Sequence, residues 1–326
     1  MKILITGGAG LIGSNLVKHL KTKSHDVYVV DNLWRGKIEN LKENGKFAIN
    51  LENNFFEKDL TNHSNCLEVT KNIDMVIHLA DIVAGINYVF RNELFVFRQN
   101  LLINSNILEA SINNKVKKFL YVGTACSYPL EKQNTIGSKP LKESDIYPAN
   151  PESGYGWSKL MGEFELELAT KLNKIEGGTI RLHNVYGPPC EISEEKSQVI
   201  PALIRKLLLN EEFIVWGSGK QRRAFLYVDD VIDGISKYIN HGFGNGCIQL
   251  SPEESTSISD IAHKLVDISK KNVNIHFDTT KPEGDKDRTG NIDKAKEILN
   301  WSPKTNIDDG LEKTYRWISN YLKNMN

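Results

Sequence analysis

Short, almost wholly apolar runs alternate with longer stretches that are apolar on one side only. Lys2–Thr6 (KILIT), Val27–Val30 (VYVV), Met75–Ala80 (MVIHLA), Lys118–Val122 (KFLYV) and Thr179–Leu182 (TIRL) are four to six residues long and mostly β-branched or aliphatic. Runs of that length and character suit strands buried on both faces. Between them the period lengthens: Ile12, Leu16 and Leu20 form a helical stripe, a helix is expected over Asn100–Ile112, and Gly154–Leu172 carries Met161, Phe164 and Leu168 on one face. Strands alternating with helices predict an α/β fold with a doubly wound parallel sheet.

After about Tyr186 the alternation weakens, and YGPPCEISEEKSQ reads as an exposed loop. Helical patterns return at Pro201–Leu209, Asp229–Ile239, Ser259–Ser269 and Leu311–Leu322, enough for a smaller second lobe. Composition then removes several classes of function. The 41 basic and 41 acidic residues cancel, so neither nucleic acid nor a membrane surface is an expected partner. No run approaches the ~18 apolar residues of a membrane span. The N-terminal apolar stretch is short and broken by glycine, unlike a signal peptide. Cys66, Cys126, Cys190 and Cys247 are scattered, without CxxC or zinc-like spacing. A cytoplasmic, reducing setting and no metal site are therefore expected.

The first strand runs directly into TGGAGLIGSNL, where Gly7, Gly10 and Gly13 spell GxxGxxG. Such glycines allow a tight turn, close approach of backbone to a pyrophosphate, and close helix–sheet packing, while the helix N-terminus faces the phosphates. Asp31 ends the next strand, 18 residues beyond Gly13. A carboxylate there accepts from the adenosine ribose and repels a 2′-phosphate, which favours NAD over NADP although Arg35 follows closely. Asp59 stands where a carboxylate can reach the adenine. Further on, Tyr155 and Lys159 form YxxxK, one helical turn apart, and an ammonium so placed is expected to lower the tyrosine pKa toward working pH.

With these residues the chain resembles the extended short-chain dehydrogenase/reductases, specifically their nucleotide-sugar epimerases and dehydratases. The resemblance runs through TGGAGLIG, DNL, HLA, YGWSK, RLHNVYGP, GSGKQRRAFLYVDD and DRTGNIDKAKEILNW. It implies a Rossmann-type domain over residues 1–184 plus about 225–250, with Asn32, Leu79 and Ala80 joining the NAD contacts. A nucleotide-sugar lobe is implied over 185–224 and 251–326, with Asn184, Arg223 and Arg288 gripping the diphosphate or sugar. A homodimer is implied too, through the helices bearing Asn100 and Tyr155.

The segment GTACSYP (Gly123–Pro129) narrows the expectation. By resemblance, Thr124 hydrogen-bonds the reacting hydroxyl. Relatives that eliminate water carry Asp-Glu at the next two positions, where this chain has Ala125 and Cys126, so a dehydratase is disfavoured. Cysteine there resembles the GDP-mannose 3,5-epimerases and, next, the GDP-L-fucose synthases. The expected chemistry is oxidation of C4, removal of a proton from C5 and/or C3 by Cys126, reprotonation from the other face, and re-reduction. By resemblance to the 3,5-epimerases, which carry a lysine in this region, Lys196 is the expected partner of Cys126; Gln198 stands where fucose synthases have histidine. Alternatives are a UDP-sugar 4-epimerase, a fucose-synthase-like epimerase-reductase, and a non-catalytic NAD(P)-sensing protein.

Overall fold

The computed structural model describes residues 1–281 and 283–324. Seven strands, β1 (Lys2–Thr6), β2 (Asp26–Asp31), β3 (Phe55–Glu57), β4 (Met75–His78), β5 (Lys118–Thr124), β6 (Glu176–Leu182) and β7 (Cys247–Leu250), make one sheet in the order β7-β6-β5-β4-β1-β2-β3. Every neighbouring pair is parallel. The predicted doubly wound sheet is thus observed. Alternate residues of β1 serve the two faces. Ile3 and Ile5 pack with Leu16, Val17 and Leu20 on one side, and Leu4 packs with Val76, Ile107 and Phe119 on the other.

Seven main helices accompany the sheet: α1 (Leu11–Thr22), α2 (Glu93–Asn113), α3 (Gly154–Lys171), α4 (Val199–Leu209), α5 (Val228–His241), α6 (Ile258–Ser269) and α7 (Ile307–Lys323). From β1 the chain winds outward to β2 and β3, then crosses back to β4. The carboxyl ends of β1 and β4 therefore border the crevice where the winding reverses.

Three departures from the sequence reading have local causes. The run expected to reach Ala80 ends at His78: the Leu79 amide is shared between the Thr6 carbonyl at 3.3 Å and Thr6 Oγ1 at 3.0 Å, and the Ala80 amide donates to Thr6 Oγ1 at 3.0 Å. Helix α2 starts at Glu93, well before Asn100, its first turns hidden by the exposed Leu94 and Phe95. Strand β7 has a polar residue in its middle: Gln249 is fully buried, accepting from Tyr128 Oη at 2.9 Å and donating to the Asn291 carbonyl at 2.7 Å.

The second lobe grows from two excursions off the sheet. Asn184–Tyr186 pairs in parallel with Phe225–Tyr227, and Phe213–Trp216 with Ile275–Asp278. Arg222–Arg223 lies between Thr256–Ser257 and Asp287–Arg288, which puts Arg223 and Arg288 side by side in register.

Candidate active site

A cavity of roughly 590 Å³ runs from the glycine loop, past the ends of β1, β2 and β4, to the end of β5 and into the second lobe. Its walls include Gly7, Gly10, Gly13, Asp31, Asn32, Asp59, Leu79 and Ala80 on one side, and Thr124, Cys126, Tyr155, Asn184, Arg223 and Arg288 on the other.

The first side is built from backbone. Gly7 adopts φ +66°, and a Cβ there would press on the Ala80 amide at 3.0 Å. A Cβ on Gly13 would fall on the Gly7 carbonyl. Helix α1 opens at Gly10 with no side-chain cap and no acidic residue in its first turn, so its free N–H groups meet an anion unopposed. Asp31 accepts from the Ala9 amide at 3.0 Å and the Leu33 amide at 2.8 Å. Burial pushes its carboxyl up while those two donors hold it down; lone pairs remain for a ribose diol. A glycine cradle at an uncapped helix end with a carboxylate beyond it fits a dinucleotide such as NAD.

Behind this surface a buried polar chain holds the strand ends together. Thr6 Oγ1 receives the Leu79 and Ala80 amides, so its own proton goes to His78 Nδ1 at 2.7 Å. His78 Nε2 then donates to Asn104 Oδ1 at 3.0 Å, and Asn104 donates on to the Ser158 carbonyl of α3. Burial and the nearby Lys159 hold His78 near pKa 3, hence neutral. Thr6 and His78 lay within the motifs TGGAGLIG and HLA without being given a role, although polar residues inside otherwise apolar strands were a signal.

The second side depends on side chains. Thr124 Oγ1 accepts from the Cys126 amide at 3.2 Å, which engages the oxygen and not the hydroxyl proton. Cys126 follows on a short 3-10 turn pressed against α3; a Cβ on Gly156 would strike the Cys126 carbonyl, so glycine after Tyr155 lets the two elements meet. Cys126 is half-buried and lines the cavity, and Arg288 Nη1 donates to its sulfur at 3.1 Å. Arg288 is also bonded to Gln133 and ion-paired with Asp285. Its neighbour Arg223 is pulled down to about 10 by burial and by the charge of Arg288. Two adjacent guanidiniums on a cavity wall suit a diphosphate.

Two expectations need correction. Lys159 was expected to lower the Tyr155 pKa. Instead burial, then the carboxylate of Asp81, hold the phenol well above its usual value. Tyr155 Oη donates to Asp81 Oδ2 at 3.0 Å, and Lys159 Nζ faces the same oxygen at 3.5 Å. Asp81 was missed; its signal was an acidic residue immediately after the HLA strand end. Lys196 was expected opposite Cys126. Its ammonium instead donates to the Trp34 carbonyl at 2.6 Å and lies 4.5 Å from the centroid of the Trp34 ring, outside the cavity wall.

Residues 3–248 match the family described as the NAD dependent epimerase/dehydratase family, and the chain belongs to it. NAD is accordingly its cofactor, as Asp31 led us to expect. It is 32% identical over 327 residues to a GDP-mannose 3,5-epimerase of Arabidopsis thaliana, spanning 99% of this chain and 83% of that one. The fold superposes on a UDP-glucose 4-epimerase of Thermotoga maritima solved with UDP-glucose, with TM-score 0.88, 28% identity and coverage of 99% and 100%. A UDP-glucuronic acid 4-epimerase of Bacillus cereus, solved with UDP-glucuronic acid and NAD, gives 0.85, 29%, and 98% and 100%. The chain is thus an NAD-dependent enzyme of the nucleotide-sugar epimerase/dehydratase type.

Proposed function

We propose that this enzyme inverts C5 and/or C3 of a nucleotide-diphosphate hexose, a GDP-hexose by preference, through a transient C4 ketone. The observation that carries this reading is the contact of Arg288 Nη1 with the Cys126 sulfur at 3.1 Å, between two residues that both line the cavity. NAD, held by the glycine loop, Asp31 and the Leu79–Ala80 backbone, supplies reversible oxidation at C4. Tyr155, with Thr124 beside it, moves the proton of the C4 hydroxyl. A C4 ketone acidifies hydrogen on C3 and C5; Cys126, as thiolate with the Arg288 guanidinium beside it, takes that proton and leaves an enolate, and solvent water returns a proton to the opposite face of the same carbon. Arg223, Arg288 and Asn184 hold the diphosphate and sugar in the lobe built from 185–224 and 251–326. Lys196 drops out of the scheme because of its hold on Trp34. The sequence likeness to the Arabidopsis enzyme supports the GDP-hexose preference.

The same reading includes a homodimer acting in the cytoplasm. Its support is an apolar face on the packed pair α2 and α3, where Leu94, Phe95, Leu102, Met161, Phe164 and Leu168 are exposed.

The test is incubation with GDP-, UDP-, dTDP- and CDP-hexoses in D₂O, read by NMR. Deuterium at C3 or C5 is expected, and Cys126→Ser should abolish it while C4 oxidation stays measurable. Turnover without ring deuterium would leave the second reading, a UDP-sugar 4-epimerase, which the fold's match to the Thermotoga enzyme favours and which gives Cys126 no task.

A further inference from the structure

The segment bearing Asp81 is fixed from both sides. Thr6 Oγ1 takes the two preceding amides at 3.0 Å each, and Asn100 Oδ1 takes the Ile82 amide at 2.7 Å while its Nδ2 returns a bond to the Ile82 carbonyl at 3.2 Å. Thr6 and Asn100 are themselves fully buried. The Asp81 carboxylate, 13% exposed, is thereby set between Tyr155 and Lys159 of α3. Arg35 from the loop after β2 and Tyr121 of β5 complete its charged and titratable surroundings, with Cys126 near Tyr155 and Glu163 behind Lys159.

A tyrosine served by a lysine alone works as a phenolate. Here the phenol donates to a carboxylate, and a phenol that keeps its proton cannot accept another without passing its own on. We propose that Asp81 is the proton acceptor behind Tyr155. As the C4 hydroxyl is oxidised, its O–H bond breaks and a new O–H bond forms at Tyr155. The bond Tyr155 already had breaks in turn, and that proton lands on Asp81 Oδ2. The nicotinamide cofactor is the oxidant. Re-reduction of C4 runs the two transfers backwards. The inference rests on the reading of Tyr155 given above; Asp81 acts through Tyr155.

The test is Asp81→Asn, which keeps the shape and the hydrogen bond but takes no proton. In protein without cofactor or sugar, ¹³Cζ-tyrosine NMR, assigned with Tyr155→Phe, should show Tyr155 titrating about two pH units or more below wild type. In single turnover of C4 oxidation, wild type should be level between pH 6 and 9. The variant should lose about tenfold for every pH unit below its lowered tyrosine pKa. Asp81→Ser repeats both measurements if the asparagine variant does not fold. An unmoved Tyr155 titration, or identical pH profiles, overturns the proposal. If wild type turns over no nucleotide sugar, the reaction reading fails, and the NMR arm still decides the role of Asp81.

Discussion

The two walls of the cavity are held by different means. The cofactor wall is backbone: a left-handed glycine, an uncapped helix end, and strand termini tied by Thr6 and His78. The substrate wall is side chain: Arg288 reaching Cys126, Asp285 and Gln133, and Arg223 leaning on the Asp285 carbonyl at 2.6 Å. A backbone wall tolerates almost no added volume, and Asp31 apart it does not depend on charged side chains. A side-chain wall should behave the other way round, since removing one partner strands another.

The largest expected effect is therefore on the substrate wall. Arg288 and Asp285 are both buried, and the Asp285 carboxylate oxygens have no other hydrogen-bond partner among the described residues. Arg288→Met leaves that carboxylate without its cation and should cost about 3–5 kcal/mol of stability. Adding Asp285→Leu should recover most of it. Chemical unfolding of the three proteins measures this. A single variant within about 1 kcal/mol of wild type would erase the proposed contrast between the walls.

On the cofactor wall the matching probe is a methyl group. Gly13→Ala places carbon on the Gly7 carbonyl and the Gly8 Cα, neither of which can move without opening the turn. We expect a loss of about 1–3 kcal/mol, together with weakened NAD binding by calorimetry. Unchanged binding would mean that the cradle is softer than its geometry.

This difference also explains what could be read from the sequence. Gly7, Gly10, Gly13 and Asp31 lie within one strand–helix–strand unit, so their spacing carries their geometry. The Tyr155–Lys159 spacing was equally local, but the tyrosine's state was not, because it depends on Asp81, 74 positions away. Cys126 was readable only as a position; its sulfur's partner is Arg288, 162 residues later. Strand β7 escaped notice because a buried glutamine sits where a strand pattern calls for apolar residues. Local rules cannot see partners that only the tertiary fold supplies.

A smaller effect should appear in acid. His78 and His183 are buried, and burial foremost holds each near pKa 3, against about 6.5 in an unfolded chain. The folded-state values are depressed, so the unfolded chain binds more protons between those limits and stability falls as pH drops from about 6.5 toward 3. Each histidine contributes about 1.4 kcal/mol per pH unit to that slope. His78 lies on the backbone wall; His183, whose Nε2 meets Gln249 Oε1 at 3.2 Å, lies at the junction with the second lobe. His183→Gln should flatten the acid slope by about that amount, as denaturant unfolding at stepped pH would show. An unchanged slope would mean that His183 already charges in the folded protein.

The smallest effect should come from Lys196, the residue that sequence position recommended. Its hydrogen bond to the Trp34 carbonyl, a residue 162 positions earlier, and its place over the indole tie the loop before α4 to the loop after β2. Such a half-buried tether is worth about 1 kcal/mol, so Lys196→Met should lower the melting temperature slightly and leave deuterium incorporation at C3 and C5 within about threefold of wild type. A general acid or base would behave differently, since its removal costs about 10²–10⁴ in rate. The two outcomes are far enough apart that one exchange experiment separates them. A loss on the larger scale would mean that the ammonium leaves Trp34 when sugar binds, and that the substrate wall is completed only in the complex.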